Sequence, residues 1–237
     1  MAPTDAHLIY ERTLVNPGEF IIGVDEVGRG ALAGPVCVGA VLLDAHAADD
    51  VPTGLTDSKL VSAANRAQLV PQIHSWCTAA AVGFASAAEI DAVGIIAALR
   101  RAAERAIFEV MSALPNQQPP LVLLDGHHNW LTRPEAMLTL PYEAVRPDPH
   151  PTHDDVVPPV RAVVTKTKAD VSCASVAAAS VLAKQTRDAH LSALAEQHPH
   201  YGWHSNKGYA AQMHRNALAE HGVTSEHRWS WNLFAQS

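Results

Sequence analysis

Cysteine is scarce and scattered: Cys37, Cys77 and Cys173 are the only three in 237 residues. An odd, widely spaced set fits a reducing compartment better than a disulfide framework. Aromatic residues amount to 5% of the chain while alanine is abundant, which favours closely packed helices and excludes no activity. Long apolar runs are missing as well. The longest, residues 30–43, contains three glycines and a proline and is too short to span a bilayer. The first residues, MAPTDAHLIYERTL, carry acids and no apolar centre, unlike a secretory signal. A cytoplasmic protein without membrane association is the expectation. Basic residues are in the minority, 17 Lys and Arg against 24 Asp and Glu, for a net charge of −7. That balance argues against a protein that coats nucleic acid, because phosphate binding relies on Lys and Arg. It does not exclude local binding, since carboxylates gathered to hold cations count as negative until the metals reverse the sign. With 48% hydrophobic and 17% charged residues, the chain reads as one ordinary globular domain.

Residues 1–18 form a polar lead-in, followed by a catalytic body over 19–199 and a C-terminal loop and helix over 200–237. Two apolar runs, residues 20–27 and 34–44, read as adjacent strands separated by a turn. A helix is expected over 62–76 and a third strand over 79–85. Ser86 and Glu89 make a capping-box pattern that opens a helical region. After Gly94 a second helix carries Ile96, Ala103, Ile107, Val110, Met111 and Leu114 at helical spacing and stops before Pro115. Short strands follow over 121–124 and 160–166, then a long helix from near Ser172 or Ser175 through Ala195, and a last helix around 210–220. The order predicts a mixed sheet flanked by helices.

Acids stand where these elements begin or end: Asp25 and Glu26 on the first strand, Asp125 after the fourth, and Asp170 before the long helix. Strand ends in such sheets are where ligands gather. Four converging carboxylates repel one another, and Mg²⁺ or Mn²⁺ is the natural compensation. Two ions roughly 4 Å apart activate water and stabilise the leaving oxygen in phosphoryl displacement. Taken singly, Asp125-Gly126 is a turn and Asp170 an acid that complements a helix dipole. Asp25 and Glu26 within an apolar strand are harder to dismiss, because buried carboxylates are costly unless paired or metal-bound. Adjacent strand residues point to opposite faces, so a bulge or strand end permitted by Gly28 and Gly30 is expected to bring both to one site.

Five segments then carry a resemblance. Gly23-Val24-Asp25-Glu26-Val27-Gly28-Arg29-Gly30, continued by Ala33-Gly34-Pro35, is similar to the opening motif of bacterial ribonuclease HII. So are Asp57-Ser58-Lys59, Leu124-Asp125-Gly126, the run from Ala177 to Lys184, and Asn206-Lys207-Gly208-Tyr209, all in the family's order. The resemblance implies an α/β, ribonuclease H-like fold: a mixed five-stranded sheet flanked by helices, with a small helical C-terminal part. It implies an endonuclease that hydrolyses the RNA strand of RNA/DNA hybrids and nicks 5′ of a ribonucleotide embedded in duplex DNA. Two Mg²⁺ or Mn²⁺ ions would act, leaving 3′-hydroxyl and 5′-phosphate ends, as ribonucleotide excision repair requires. By position, Asp25, Glu26, Asp125 and Asp170 match its catalytic, metal-binding carboxylates. Gly28, Arg29 and Gly30 match its loop reading the 2′-hydroxyl, the group that separates RNA from DNA. Tyr209 matches a tyrosine at the RNA–DNA junction, and Ser58, Lys59, Lys184 and Arg187 are placed as phosphate contacts. The family's Gly before the last acid is Ala169 here. A monomer is expected.

Other features draw plainer readings. Residues 127–159 look longer than is usual for the family, and His150, His153, Asp154 and Asp155 lack a clear set of four zinc ligands. His127 and His128 flank Asp125, but a two-metal reaction needs no imidazole. Trp229 and Trp231 are expected to anchor the core, and the small residues of 175–183 to let a helix lie close to the sheet. Two other functions remain open on residues alone: a DNA nuclease or recombinase on the same sheet, and a noncatalytic binding module.

Overall fold

The computed structural model describes residues 5–114, 118–133 and 158–234. The histidine- and proline-rich segment and its His150, His153, Asp154 and Asp155 lie outside the described residues.

The strands are β1 (Phe20–Val27), β2 (Val36–Asp44), β3 (Ala79–Ala85), β4 (Leu121–Asp125) and β5 (Ala162–Lys166), in sheet order β3-β2-β1-β4-β5. β1 pairs antiparallel with β2 and parallel with β4, and β5 continues parallel to β4. The sheet is thus mixed, as the order of elements predicts. Helices are α1 (Glu11–Leu14), α2 (Ala63–Trp76), α3 (Ala87–Val93), α4 (Ile95–Met111), α5 (Ala169–Ser172), α6 (Ala174–Gln197), α7 (Trp203–Asn206) and α8 (Gln212–His221). Ser86 caps α3 in the full reciprocal arrangement with Glu89, satisfying two main-chain donors that the helix itself leaves open.

Period-two alternation divides the sheet between two cores. Ile21, Val41, Leu43, Leu121 and Leu123 face α2 and α6, while Ile22, Val24, Val38, Leu42, Val122 and Leu124 face α4. Alanine and glycine let both layers approach closely. A Cβ on Gly39 would strike the Ala179 carbonyl of α6, one on Gly23 would strike Ser175, and one on Gly83 would strike Ala102 of α4. The abundant alanine therefore serves main-chain contact between helix and sheet, which large side chains would prevent.

Two expectations change. The segment before β1 is not merely polar: Ala6, Leu8 and Val15 are buried in the core beneath α6, and His7 forms a parallel bridge with Cys173. Alternating small and apolar residues among the acids hid that packing. Second, β1 has no bulge against β2; its register runs unbroken from Phe20↔Asp44 to Val27↔Cys37.

Candidate active site

Side-chain direction places the first two acids. Asp25 lies two residues beyond Gly23 and opposite Gly39, so it shares the face that meets α6. Asp125 follows Leu121 and Leu123 on that same face, at the end of the neighbouring strand. Glu26 belongs to the opposite face, but the pairing of β1 with β4 ends at Val24↔Leu124. Beyond it, β1 runs past the end of its parallel neighbour. A strand end, rather than a bulge, therefore lets Glu26 share the region with Asp125.

Asp170 arrives from below. Lys168 takes a left-handed conformation (φ 58°) between β5 and α5, and this turn redirects the chain so that Ala169 and Asp170 meet the end of β4. The turn falls one residue before Ala169, so alanine there carries no left-handed strain. Asp125 Oδ1 accepts the Ala169 N–H at 2.8 Å and that of Asp170 at 3.4 Å.

The four carboxylates feel one another. Asp25 is buried, and its pKa stands well above the ordinary carboxylate value, first through burial and then through repulsion from Glu26, Asp125 and Asp170. A hydrogen bond from Ser180 of α6 works in the other direction. Glu26 is raised by burial and by Asp125, against the pull of Arg29. Asp170 is raised to about 6, by burial first, then Asp125 and Asp57. Three of the four carboxylates are meanwhile turned on partners of their own. The Glu26 N–H donates to Asp25 at 2.8 Å, Arg29 reaches Glu26 at 3.4 Å, and Asp125 holds Ala169. Among the described residues, no three His, Cys, Asp or Glu side chains are gathered tightly enough to enclose a metal ion as they stand. The donor set still suits hard divalent cations. It is all oxygen, largely buried, and carries mutual repulsion that a cation would turn into attraction.

The remaining candidates separate into two groups. Lys59 is exposed, and its pKa is raised, since Asp57, Asp25, Asp170 and Asp125 outweigh a burial effect of opposite sign. Ser58 is buried, its Oγ 2.9 Å from that of Ser180, which places it behind Asp25. Lys184 is drawn to Asp188 at 2.7 Å. Arg187 does not stand where a phosphate contact is expected. It is fully buried, and its guanidinium donates to the carbonyls of Pro35, Lys207 and Ala33. Arg187 therefore shapes the site from below, and glycine is required at position 28 because a Cβ there would overlap its guanidinium. Gly28 also has φ 85°, a region glycine enters freely. Gly30 faces open space, Arg29 is half-exposed, and Tyr209 is 38% exposed with the Arg187 guanidinium 5.6 Å from its ring centre.

Several site residues escaped the sequence reading. Ser180 and Asp57 lie inside recognised motifs but carry no individual signal. Arg228 lies in a segment read as aromatic anchoring; it is fully buried and donates to Gly28, Arg29 and Gly34 carbonyls. Trp229 is no core anchor: it is 63% exposed, because Asp91 accepts its main-chain N–H and holds it at the surface, whereas Trp231 packs against the core.

Comparison with known proteins shows the family and the fold. The family model described as Ribonuclease HII matches residues 22–234. The chain is 43% identical over 211 residues to the ribonuclease HII of Streptomyces avermitilis, covering 89% of this chain and 76% of that one. The crystal structure of the ribonuclease H2 from Pyrococcus horikoshii superposes with a TM-score of 0.62 at 21% identity, covering 91% and 95% of the two chains. That of Bst ribonuclease HIII in complex with Mn²⁺ superposes at 0.67 and 17%, covering 91% and 68%. At those identities the two structures speak for the fold.

Proposed function

The chain belongs to the ribonuclease HII family and is a ribonuclease H enzyme, and from that premise we propose that it hydrolyses the RNA strand of RNA/DNA hybrids and nicks duplex DNA on the 5′ side of an embedded ribonucleotide. The products carry a 3′-hydroxyl and a 5′-phosphate. The observation that supports this most is the placement of Asp25. It is a buried carboxylate whose charge is disfavoured by three other acids, at strand ends three residues from the Gly28-Arg29-Gly30 loop.

In this reading Asp25, Glu26, Asp125 and Asp170 would hold two Mg²⁺ or Mn²⁺ ions, which would supply a strong nucleophile at neutral pH and stabilise the leaving oxygen. The protein does the rest. Ser180 orients Asp25 through its hydrogen bond, and Asp125 fixes the turn that carries Asp170. Gly30, with open space at its Cα, lets a sugar approach the main chain, where the 2′-hydroxyl is read by peptide groups. Tyr209 offers a partly exposed ring against which a deoxyribose at the junction is tested. Lys59, exposed beside the acids, holds a phosphate in register. Among the described residues no helix is long and apolar enough to cross a membrane. The three cysteines are free thiols that burial pushes up to about 11 or 12, so none is a ready thiolate.

The test is cleavage of a labelled DNA duplex containing one ribonucleotide, with Mg²⁺, Mn²⁺ or chelator, beside an all-DNA duplex. A single metal-dependent cut 5′ of the ribonucleotide, lost in Asp25→Asn, is the expected result. Equal cleavage of the all-DNA duplex would sink it.

A further inference from the structure

Behind Tyr209 lies a buried polar chain that the carboxylate chemistry does not use. His214 of α8 and His227 are both fully buried, and their Nε2 atoms are 3.1 Å apart. The donors and acceptors around them leave one arrangement. A main-chain carbonyl only accepts, so His214 Nδ1, 2.9 Å from the Tyr209 oxygen, carries a proton. An indole N–H only donates, so His214 Nε2, 3.2 Å from Trp203 Nε1, carries none. His227 Nε2 must then donate to His214. Its Nδ1 is left to accept, as the Thr224 main-chain N–H at 2.9 Å requires. The chain runs from Thr224 through two neutral imidazoles to the carbonyl of Tyr209, with the single lone pair of His214 Nε2 shared between the Trp203 and His227 donors. Burial keeps both histidines neutral, lowering His214 and taking His227 to about 4 with His214 and His198 beside it.

The next residue does the same for the other reading element. Arg228 is fully buried, and its guanidinium donates to Gly28 O at 2.7 Å, Arg29 O at 2.9 Å and Gly34 O at 3.1 Å. Burying a guanidinium against carbonyls and the Trp231 ring, 4.8 Å away, is costly, so the cost is accepted where it fixes the loop. The strip between the two elements is stitched as well. The Leu32 N–H donates to Gly208 O at 2.8 Å, the Arg228 N–H to Leu32 O at 3.0 Å, and the Gly34 N–H to Glu226 O at 2.8 Å.

We propose that His214, His227 and Arg228 are positioning residues for ribose recognition: the adjacent pair His227-Arg228 locks the 28–30 loop and Tyr209 into one geometry, with His227 acting through His214. This rests on the reading of that loop and of Tyr209 given above. Small residues that merely filled the core would leave substrate choice alone; these set the distance between two recognition elements.

The experiment compares kcat/KM for a duplex with one ribonucleotide and for a full RNA/DNA hybrid, in proteins whose folding is checked by thermal denaturation. His214→Leu removes every hydrogen bond and is expected to lower the ratio about tenfold or more, as one misplaced recognition contact does. His214→Asn, whose amide nitrogen falls near the Nδ1 position but which gives up the link to His227, restores part of it; His214→Gln, which mimics only Nε2, does not. Adding Tyr209→Ala to His214→Leu costs little more than Tyr209→Ala alone. If Tyr209→Ala lowers the ratio while folded His214→Leu keeps it within twofold of the parent, the positioning role is overturned. Should His214→Leu fail to fold, equal ratios for the Asn and Gln variants overturn it instead. An unchanged ratio in Tyr209→Ala would overturn the tyrosine reading itself, and this assignment with it.

Discussion

Asp125 secures Asp170 by its own carboxylate: Oδ1 accepts the Ala169 N–H at 2.8 Å and lies 3.4 Å from that of Asp170. One acid of the site is thus part of the scaffold for the next. Asp125→Asn keeps an oxygen acceptor, whereas Asp125→Ala does not. Both are expected to abolish cleavage, but only the alanine variant should lose stability, by about 1–2 kcal/mol for a main-chain donor left without its partner. Denaturant titration of the two variants beside the parent checks the difference; equal losses would contradict the tie.

Asp170 gives a pH signature in the metal-free protein. Its folded pKa of about 6 lies above the ordinary 3.8, so its contribution is fully present below about pH 4 and is lost as the pH rises through 6. Asp170→Asn removes that loss. In chelator, the variant should match the parent near pH 4 and exceed it by about 1–3 kcal/mol above pH 6. Urea titrations across this range would show it. Divalent metal should then stabilise the parent more than the variant. A variant less stable than the parent at pH 7 would count against repulsion at the site.

Two glycines separate packing from recognition. Gly39→Ala drives a Cβ into the Ala179 carbonyl, and overpacking of this kind costs about 1–3 kcal/mol. Gly30→Ala meets nothing within 4 Å. It is expected to leave the melting temperature unchanged while raising KM for the ribonucleotide-bearing duplex about tenfold or more, as a methyl group blocks the sugar's approach. A normal KM in Gly30→Ala would remove the loop from recognition.

Glu11 links the segment before β1 to α6. It is fully buried and accepts hydrogen bonds from the main-chain N–H and hydroxyl of Ser175 at 3.0 and 2.9 Å, while Oε2 has no partner. Burial raises its pKa. Glu11→Gln keeps the acceptor and removes a buried charge, so stability should change by less than about 1 kcal/mol. Glu11→Ala leaves two donors bare and should cost about 2–4 kcal/mol. Thermal melts of both variants decide it.

The sheet was largely legible because its strands are apolar runs bounded by turn residues, and the limits of β1 and β3 coincide with the runs over 20–27 and 79–85. Asp25 and Glu26 were legible because carboxylates inside an apolar strand are costly unless paired or metal-bound, whereas Asp125 and Asp170, each with a plain structural reading, were singled out by the resemblance. What hid was what depends on distant partners. The packing of Ala6 and Leu8 follows from contact with α6, more than 150 positions away in the chain. Arg187 reads as a surface cation beside Lys184 on one helix, yet it points inward because the carbonyls of Ala33, Pro35 and Lys207 converge beneath Gly28. The exposure of Trp229 depends on Asp91, over a hundred residues earlier. Local pattern records neither partner.

The two inward-facing arginines also impose an order on synthesis. The ribosome delivers Asp25, Glu26, Asp125 and Asp170 first, together with all five strands of the sheet. The donors that hold the carbonyls of Gly28, Arg29 and Gly34 come from Arg228, close to two hundred residues behind the loop they support. Until it emerges, that loop lacks the groups that set its shape. The acids are assembled by the body of the chain, and the loop proposed to distinguish one sugar from another is the last to be set.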